Sequence, residues 1–326
     1  MTTQLTRPRA EAGSAGTAQT RPQSADLRRR RRNEAIVAYI FIAPAALTFA
    51  VFMALPMLLT AVLSFFDWSG ISLGSLEFAG FDNYVKLAQD PVFGQSLGNN
   101  FIFIVLGMGI SVALGLFVAV LLERNLPGSS FFRGVFFLPT VLSTVVIGIV
   151  FTFLISPVFG VIRPVLALVG IDFEVALLGD PNTALYTIIA VEIWRAFGFA
   201  MFLFVAGLKS LDENLDEAAR LDGASSSQVF WHITFPQLRP VTLLVSTLVG
   251  IQMLKLFDLV FVMTGGGPQN ASEVLTTFLY KQGFNFNEVG YGSAIAVILL
   301  IITFALTLIR FKLFPDSTEK DTEGAR

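Results

Sequence analysis

The chain has 326 residues, of which 54% are apolar and only 14% charged, with 33 phenylalanines. That balance is too apolar for a water-soluble domain of this length and assigns the chain to the membrane class. The formal net charge of −2 is uninformative because it hides where the cations sit, whereas the absence of cysteine excludes disulfides, thiolate nucleophiles and Cys-ligated metals while leaving the redox compartment open.

Residues 1–33 are rich in Thr, Ala, Gln and Arg without apolar periodicity and read as a disordered basic cytoplasmic tail. The five arginines at 28–32 suit a topology anchor beside anionic lipid better than a nucleic-acid patch, so no nucleic-acid partner is expected. A spanning helix needs roughly 20 mostly apolar residues. Six such stretches follow, near 35–66, 97–122, 134–156, 184–208, 241–263 and 293–313. The first, 34–66 with its polar flank, is too long for a signal peptide's apolar region and lacks a small-residue cleavage site. It carries Pro44 and Pro56, which can kink it. Lys and Arg collect on the cytoplasmic side of membrane proteins. Seventeen cations fall in the N-terminal segment, the second and fourth connections and the tail from Arg310, against Lys86, Arg163 and Lys281 on the other side. Both termini, including 314–326, are therefore expected in the cytoplasm.

Enzyme motifs are missing. No G-x-x-x-x-G-K-[ST] phosphate loop occurs, and "TGGGP" at 264–268 has the glycines without the lysine. The one histidine, His232, cannot build a His-ligated zinc site and has no nucleophile beside it, so neither a catalytic nor a metal residue is assigned. Energy for any uphill work must come from another chain. "TGGGP" closes the fifth span either as a re-entrant backbone segment or as a structural turn.

Charges inside spans are costly and mark a pathway or an internal pair. Glu192, Arg195 and Phe199 stand at i, i+3 and i+7 on the fourth span, hence on one face. Gln252, Lys255 and Asp258 repeat the pattern on the fifth at i, i+3 and i+6. Paired donors and acceptors with an aromatic ring suit a sugar. A purely structural ion-pair network between helices is the alternative reading for both sets.

Between the fourth and fifth spans lies "EAARLDGASSSQVFWHITFPQLRP" at 217–240. Ser210 with Glu213 predicts a capping box that starts a helix at about Leu211. Gly223 is placed to end it in the left-handed conformation. Ser225 with Gln228 predicts a second capping box, and a short helix with Val229 and Ile233 on one face, stopping before Pro236. A passive linker needs no such caps. An interfacial helix of the basic, lipid-binding kind is disfavoured because acids outnumber bases between 211 and 223.

This segment resembles the EAA loop of binding-protein-dependent importer permeases driven by ATP-binding-cassette (ABC) subunits, with Glu217-Ala218-Ala219, Asp222-Gly223-Ala224, Ile233 and Pro236 at the family's spacing. "FAGFDNYVKLAQDPVFGQSLGNN" at 78–100, "FRGVFFLPTVLSTVVIGIVF" at 132–151 and "KLFDLVFVMTGGGP" at 255–268 resemble further blocks of the maltose-type sugar permeases, in the right order. The likeness covers about 35–313. It implies an all-α integral membrane protein with the type I ABC importer transmembrane fold, a core at 97–313, and a coupling segment at 210–240. It implies a bacterial cytoplasmic membrane location, a second and different permease subunit, two ATPase subunits that bind ATP and Mg, an external solute-binding protein, and no cofactor in this chain. It also implies that Glu217 and Asp222 offer charge partners to the ATPase, that Phe230 and Trp231 form an apolar plug, and that Glu192, Phe199 and Gln252 fall on sugar-contacting positions, with Arg195 on the same face. The carry-over is weaker for Lys255 and Asp258. Unlike the maltose archetype, this chain offers six spans rather than eight and no room for a large external domain. Disaccharide, oligosaccharide, polyol and glycerol-phosphate permeases share these motifs. An ion-coupled secondary transporter would leave the EAA segment unexplained, and an intramembrane hydrolase lacks its Ser/His or Asp/Asp pair.

Overall fold

The computed structural model describes residues 24–123, 127–168, 170 and 176–313, which divide into two compact units, Met1–Leu58 and Leu59–Arg326. In the first unit, helix α1 (Ser24–Phe49) leads through a π-helical turn (Ala50–Ala54) into α2 (Leu55–Leu63), whose last five residues, from Leu59, belong to the second. The helix begins at Ser24, so 24–33, including the arginine run, is helical rather than part of a disordered tail; residues 1–23 and 314–326 lie outside the described residues. The reason is local: between 24 and 43 there is neither Gly nor Pro, and Arg, Ala and Leu are good helix formers.

Pro56 does not break this helix. Its ring would collide with the carbonyl four residues back in a regular α-helix. Here the N–H of Leu55 instead bonds to the carbonyl of Ala50, five residues back, and the widened turn accommodates the proline.

In the second unit, the short strands β1 (Phe66–Asp67) and β2 (Glu77–Phe78) pair antiparallel, with Phe66 opposite Phe78. They precede the amphipathic α3 (Asp82–Gln89) and α4 (Pro91–Ile102). Asp90 caps α4 by accepting from the Val92 N–H at 2.8 Å, and Pro91 at the first position lacks an N–H that would go unpaired anyway. Through a π turn (Phe103–Met108), α4 continues into α5 (Gly109–Glu123), giving an apolar run from Pro91 to Glu123.

The expected third span at 134–156 is not one rod. Helix α6 (Ser129–Val141) and α7 (Thr144–Ile155) meet at 97°, because Leu142 and Ser143 adopt extended backbone between them. After α8 (Ile162–Ala167) comes α9 (Ala184–Leu208), the most buried of the long apolar helices. Then follow α10 (Glu213–Leu221), α11 (Ser226–Val229), a π turn (Phe230–Thr234), α12 (Phe235–Gln237) and α13 (Arg239–Leu254). The unit closes with α14 (Asp258–Met263), α15 (Leu275–Tyr280), a π turn (Lys281–Asn285) and α16 (Val289–Leu313). Among the described residues, four helices are long and apolar enough to cross a membrane, or six if each of two bent pairs counts as one span.

The core is built around α9. Ile188, Met201 and Phe204 pack with Phe103 at the π turn after α4, Val245, Val249 and Met253 of α13, and Leu259 of α14. A smaller cluster joins Leu87 of α3 to Leu275 and Phe278 of α15 and Tyr291 and Ile295 of α16. Large apolar side chains such as Phe117, Phe153 and Phe304 point outward, as a hydrocarbon environment favours and water does not.

Two glycines let helices touch at the backbone. A methyl at Gly115 would sit 2.6 Å from the Ala200 Cβ, and one at Gly198 would overlap the Phe136 carbonyl. Small residues allow such approach in membrane bundles, where van der Waals packing replaces the hydrophobic drive. Gly198→Ala is therefore expected to lower the thermal midpoint of the detergent-purified protein, at a cost of about 1–3 kcal/mol from overpacking. Gly134→Ala on α6, with open space around it, should leave the midpoint unchanged, and equal melting of the two variants would refute the close contact.

Candidate functional site

Two regions carry polar chemistry. The first is the segment between α9 and α13. Its opening helix is capped by Asp212, whose Oδ1 accepts from the Asn214 N–H at 3.0 Å. The expected Ser210–Glu213 box does not form this cap, because the Ser210 hydroxyl donates to the Gly207 carbonyl at 2.7 Å and the helix starts two residues later than expected. The helix ends as Gly223 requires. Its φ is +89°, its N–H reaches the Arg220 carbonyl, and the Ala224 N–H reaches Ala219. Those two bonds define a Schellman motif with glycine at its left-handed position. Asp222 stands at the cap just before it.

The second cap is the expected box. The Gln228 N–H donates to Ser225 Oγ at 3.4 Å, and the Ser225 N–H donates to Gln228 Oε1 at 2.8 Å. Val229 is buried and Ile233 half-buried. The helix does not stop before Pro236. Another π turn, closed by the Phe235 N–H on the Phe230 carbonyl, widens the helix there and carries it through the proline, the same device as at Pro56. This short helical run then meets α13 at 67°. His232 lies exposed, Nδ1 at 3.0 Å from the Gln228 carbonyl.

The outward face of this segment is mixed. Glu217, Ala218 and Asp222 are exposed and Ala219 is half-buried. Leu221 is 89% exposed and Trp231 59% exposed, and Phe230, Trp231 and Phe235 form a ring cluster with centroids 5.1–6.1 Å apart. Apolar side chains are thus left open on a backbone fixed by caps and a glycine turn.

The second region lies within the helices. Glu192 is fully buried, and Arg195 binds it in the bidentate fork, donating from Nε at 2.9 Å and from Nη2 at 2.6 Å. Thr140 of α6 donates to the Arg195 carbonyl at 3.1 Å, and Asp258 lies near enough to act electrostatically on Arg195. Phe199 is half-buried against the main core. The structure thus brings Glu192, Arg195 and Asp258 into one polar neighbourhood, while Gln252 and Lys255 are exposed at the end of α13.

The expected i, i+3, i+6 face on the fifth span is not continuous. The α-helix stops at Leu254 and resumes at Asp258. Lys255 caps α13, and Asp258 begins α14, so the two lie on opposite sides of a break. Side chains from elsewhere satisfy the freed carbonyls: Asn100 Nδ2 donates to Leu254 at 3.4 Å, and Thr276 Oγ1 donates to Leu256 at 2.6 Å. Irregular backbone at membrane depth is tolerated only where protein covers it in this way.

The "TGGGP" segment is a tight turn with positive φ at Gly265 and Gly266. A side chain at Gly266 would overlap the Glu273 carboxylate, so glycine is needed there both for conformation and for space. Glu273, fully buried, pairs with Lys281, and Asn99 donates to the carbonyls of Ala271 and Glu273 at 3.0 and 2.8 Å. Sequence reasoning missed this pair and the buried asparagines. Lys281 counted only as a loop cation, and Asn99 and Asn100 sit at the edge of an apolar window whose average conceals them.

The family described as "Binding-protein-dependent transport system inner membrane component" matches residues 111–316. "Probable ABC transporter permease protein YurN" of Bacillus subtilis (strain 168) is 41% identical over 288 residues, covering 87% of this chain and 98% of its own length. "Multiple sugar-binding transport system permease protein MsmF" of Streptococcus mutans is 34% identical over 265 residues, covering 81% of this chain and 90% of its own. Among solved structures, a bacterial ABC transporter involved in importing the acidic polysaccharide alginate superposes with a TM-score of 0.75 at 20% identity, covering 87% of this chain and 96% of that one. That likeness carries the fold, a type I ABC importer transmembrane architecture. Motif, fold and relatives agree: the chain belongs to the family of binding-protein-dependent transport system inner membrane components.

Proposed function

We propose that this chain is one transmembrane subunit of an ATP-driven importer that takes a neutral sugar or oligosaccharide from an external solute-binding protein and moves it by alternating access. The observation that carries this reading is the coupling segment: two capped helices about a Schellman glycine, with exposed Glu217, Asp222 and Trp231. A segment held so firmly acts as a lever, whereas a flexible loop would absorb a stroke. The likeness to the multiple sugar-binding transport permease of Streptococcus mutans supports the solute class. Because Glu192 offsets Arg195 within the polar neighbourhood, a neutral solute suits it better than a phosphate.

In this reading six spans are formed by four long helices and two bent pairs, with both termini in the cytoplasm of a bacterium and the chain in its cytoplasmic membrane. The chain pairs with a second, different permease and with two ATPases, which bind ATP and Mg; it is itself no enzyme and carries no cofactor. Glu217, Ala218, Ala219, Asp222, Gly223, Phe230, Trp231, Ile233 and Pro236 form the docking lever. Glu192, Arg195, Phe199, Gln252, Lys255 and Asp258 line the solute path. Sugar and lever influence each other through two global states of the complex.

The test uses the reconstituted complex with its binding protein. Losing one hydrogen-bonding group to a buried solute costs on the order of 1–3 kcal/mol. Gln252→Ala, at an exposed position that packs little, should therefore slow labelled-sugar uptake about tenfold with assembly intact. Unchanged uptake in Gln252→Ala and Phe199→Ala alike would place the path elsewhere.

A further inference from the structure

Four aromatic rings form a track beside the polar neighbourhood. Phe257 and Phe261 stack at 5.0 Å with planes 17° apart, and Tyr280 and Phe284 stack at 5.4 Å with planes 29° apart. Tyr280 joins the two stacks, its ring 5.3 Å from both Phe257 and Phe261. The track therefore runs from the break in the fifth span, through α15, to the π turn after it. Phe261 is 41% exposed and Phe284 70% exposed, so the track is open at these two rings, while Phe257 and Tyr280 are half-buried.

Exposed aromatic rings on a membrane protein ordinarily face lipid. Asp258 argues otherwise here. It is exposed, and it stands three residues before Phe261 on α14, so it neighbours the Phe261 end of the track on the helix surface. An exposed carboxylate faces water or a polar cavity rather than hydrocarbon. The rings beside it therefore border that same aqueous space. An aromatic face with hydroxyl partners nearby has a matching ligand: the C–H face of a pyranose packs on the electron-rich ring while its hydroxyls reach polar side chains at the edge.

We propose that Phe257, Phe261, Tyr280 and Phe284 form a carbohydrate-stacking track that extends the solute path from Asp258 towards the segment after α15, and that it favours oligosaccharides over monosaccharides because several rings act in series. This rests on the reading of the chain as a sugar permease.

The experiment compares tritiated mono-, di- and trisaccharide uptake by vesicles carrying the reconstituted complex. Phe261→Tyr and Phe284→Tyr keep a ring; Phe261→Leu and Phe284→Leu keep apolar bulk without one. The Leu variants should lose roughly three- to tenfold in uptake at subsaturating sugar, more for trisaccharide than for monosaccharide, and the Tyr variants should stay within about twofold of the parent. Equal uptake by Leu and Tyr variants overturns the track, as does a loss that tracks only the amount of assembled complex. Gln252→Ala in the same vesicles separates the two readings. If it slows uptake while Phe284→Leu and Phe261→Leu do not, the permease stands and the track falls. If the parent complex moves no sugar at all, the permease reading fails and the track with it.

Discussion

Gly223→Val is expected to abolish solute-stimulated ATP hydrolysis and uptake together while the chain still inserts and its partners still assemble. The glycine sits at φ +89° in a Schellman turn, and a Cβ there meets no atom within 4 Å. The damage is therefore conformational rather than steric. The left-handed region costs an ordinary residue roughly 1–2 kcal/mol and a β-branched one more. Relief of that strain moves φ to negative values and swings α11 away from its present angle to α10. Nothing in the membrane-spanning helices is touched, so insertion persists. Gly223→Asn is the control, because asparagine tolerates the left-handed region and should retain most activity. Reconstituted vesicles give both readouts at once. Normal stimulated hydrolysis in Gly223→Val would remove the coupling role from this segment.

Arg195→Ala is expected to be the most destabilising of the single charge deletions. It strands the fully buried Glu192 carboxylate without its two donors. Breaking a buried pair on one side costs about 3–5 kcal/mol, whereas removing both charges together is often nearly neutral. The double variant Glu192→Gln, Arg195→Met should therefore recover the yield of folded protein lost in Arg195→Ala. Uptake should stay depressed in the double variant, because the solute path has lost its donors. Recovery of yield and uptake together would assign the pair to the scaffold alone.

The sequence disclosed what depends on neighbours within a turn or on average hydropathy. The Gly223 turn, the Ser225–Gln228 box and the Glu192–Arg195 pair all arise within six residues, and each was readable. The cap of α10 misled because two local hydrogen bonds competed, Ser210 to Gly207 and Asn214 to Asp212, and spacing alone does not rank them. Pro236 misled because the rule that prolines stop helices assumes an α-helical turn ahead of them, and here the turn is π-helical. The break at 255–257 was hidden for a different reason. "LKLFDLVFV" reads as part of one span despite Lys255 and Asp258, and the residues that stabilise its interruption, Asn100 and Thr276, lie 154 residues before Leu254 and 20 after Leu256. The burial of Glu273 against Gly266 is equally a product of the fold, invisible to any window.

That interruption also orders how the chain is made. A fifth span that has entered the membrane only as far as Met263 holds a carbonyl at Leu256 whose donor, Thr276, has not yet followed it. Hydrocarbon offers no substitute donor. Until α15 arrives, the segment must either close into one unbroken helix or stay sheltered by the insertion machinery. The broken form gains this hydrogen bond only once the chain has extended past residue 276 and Thr276 has docked on its carbonyl. The break in the fifth span is thus stabilised by a side chain from its own downstream sequence.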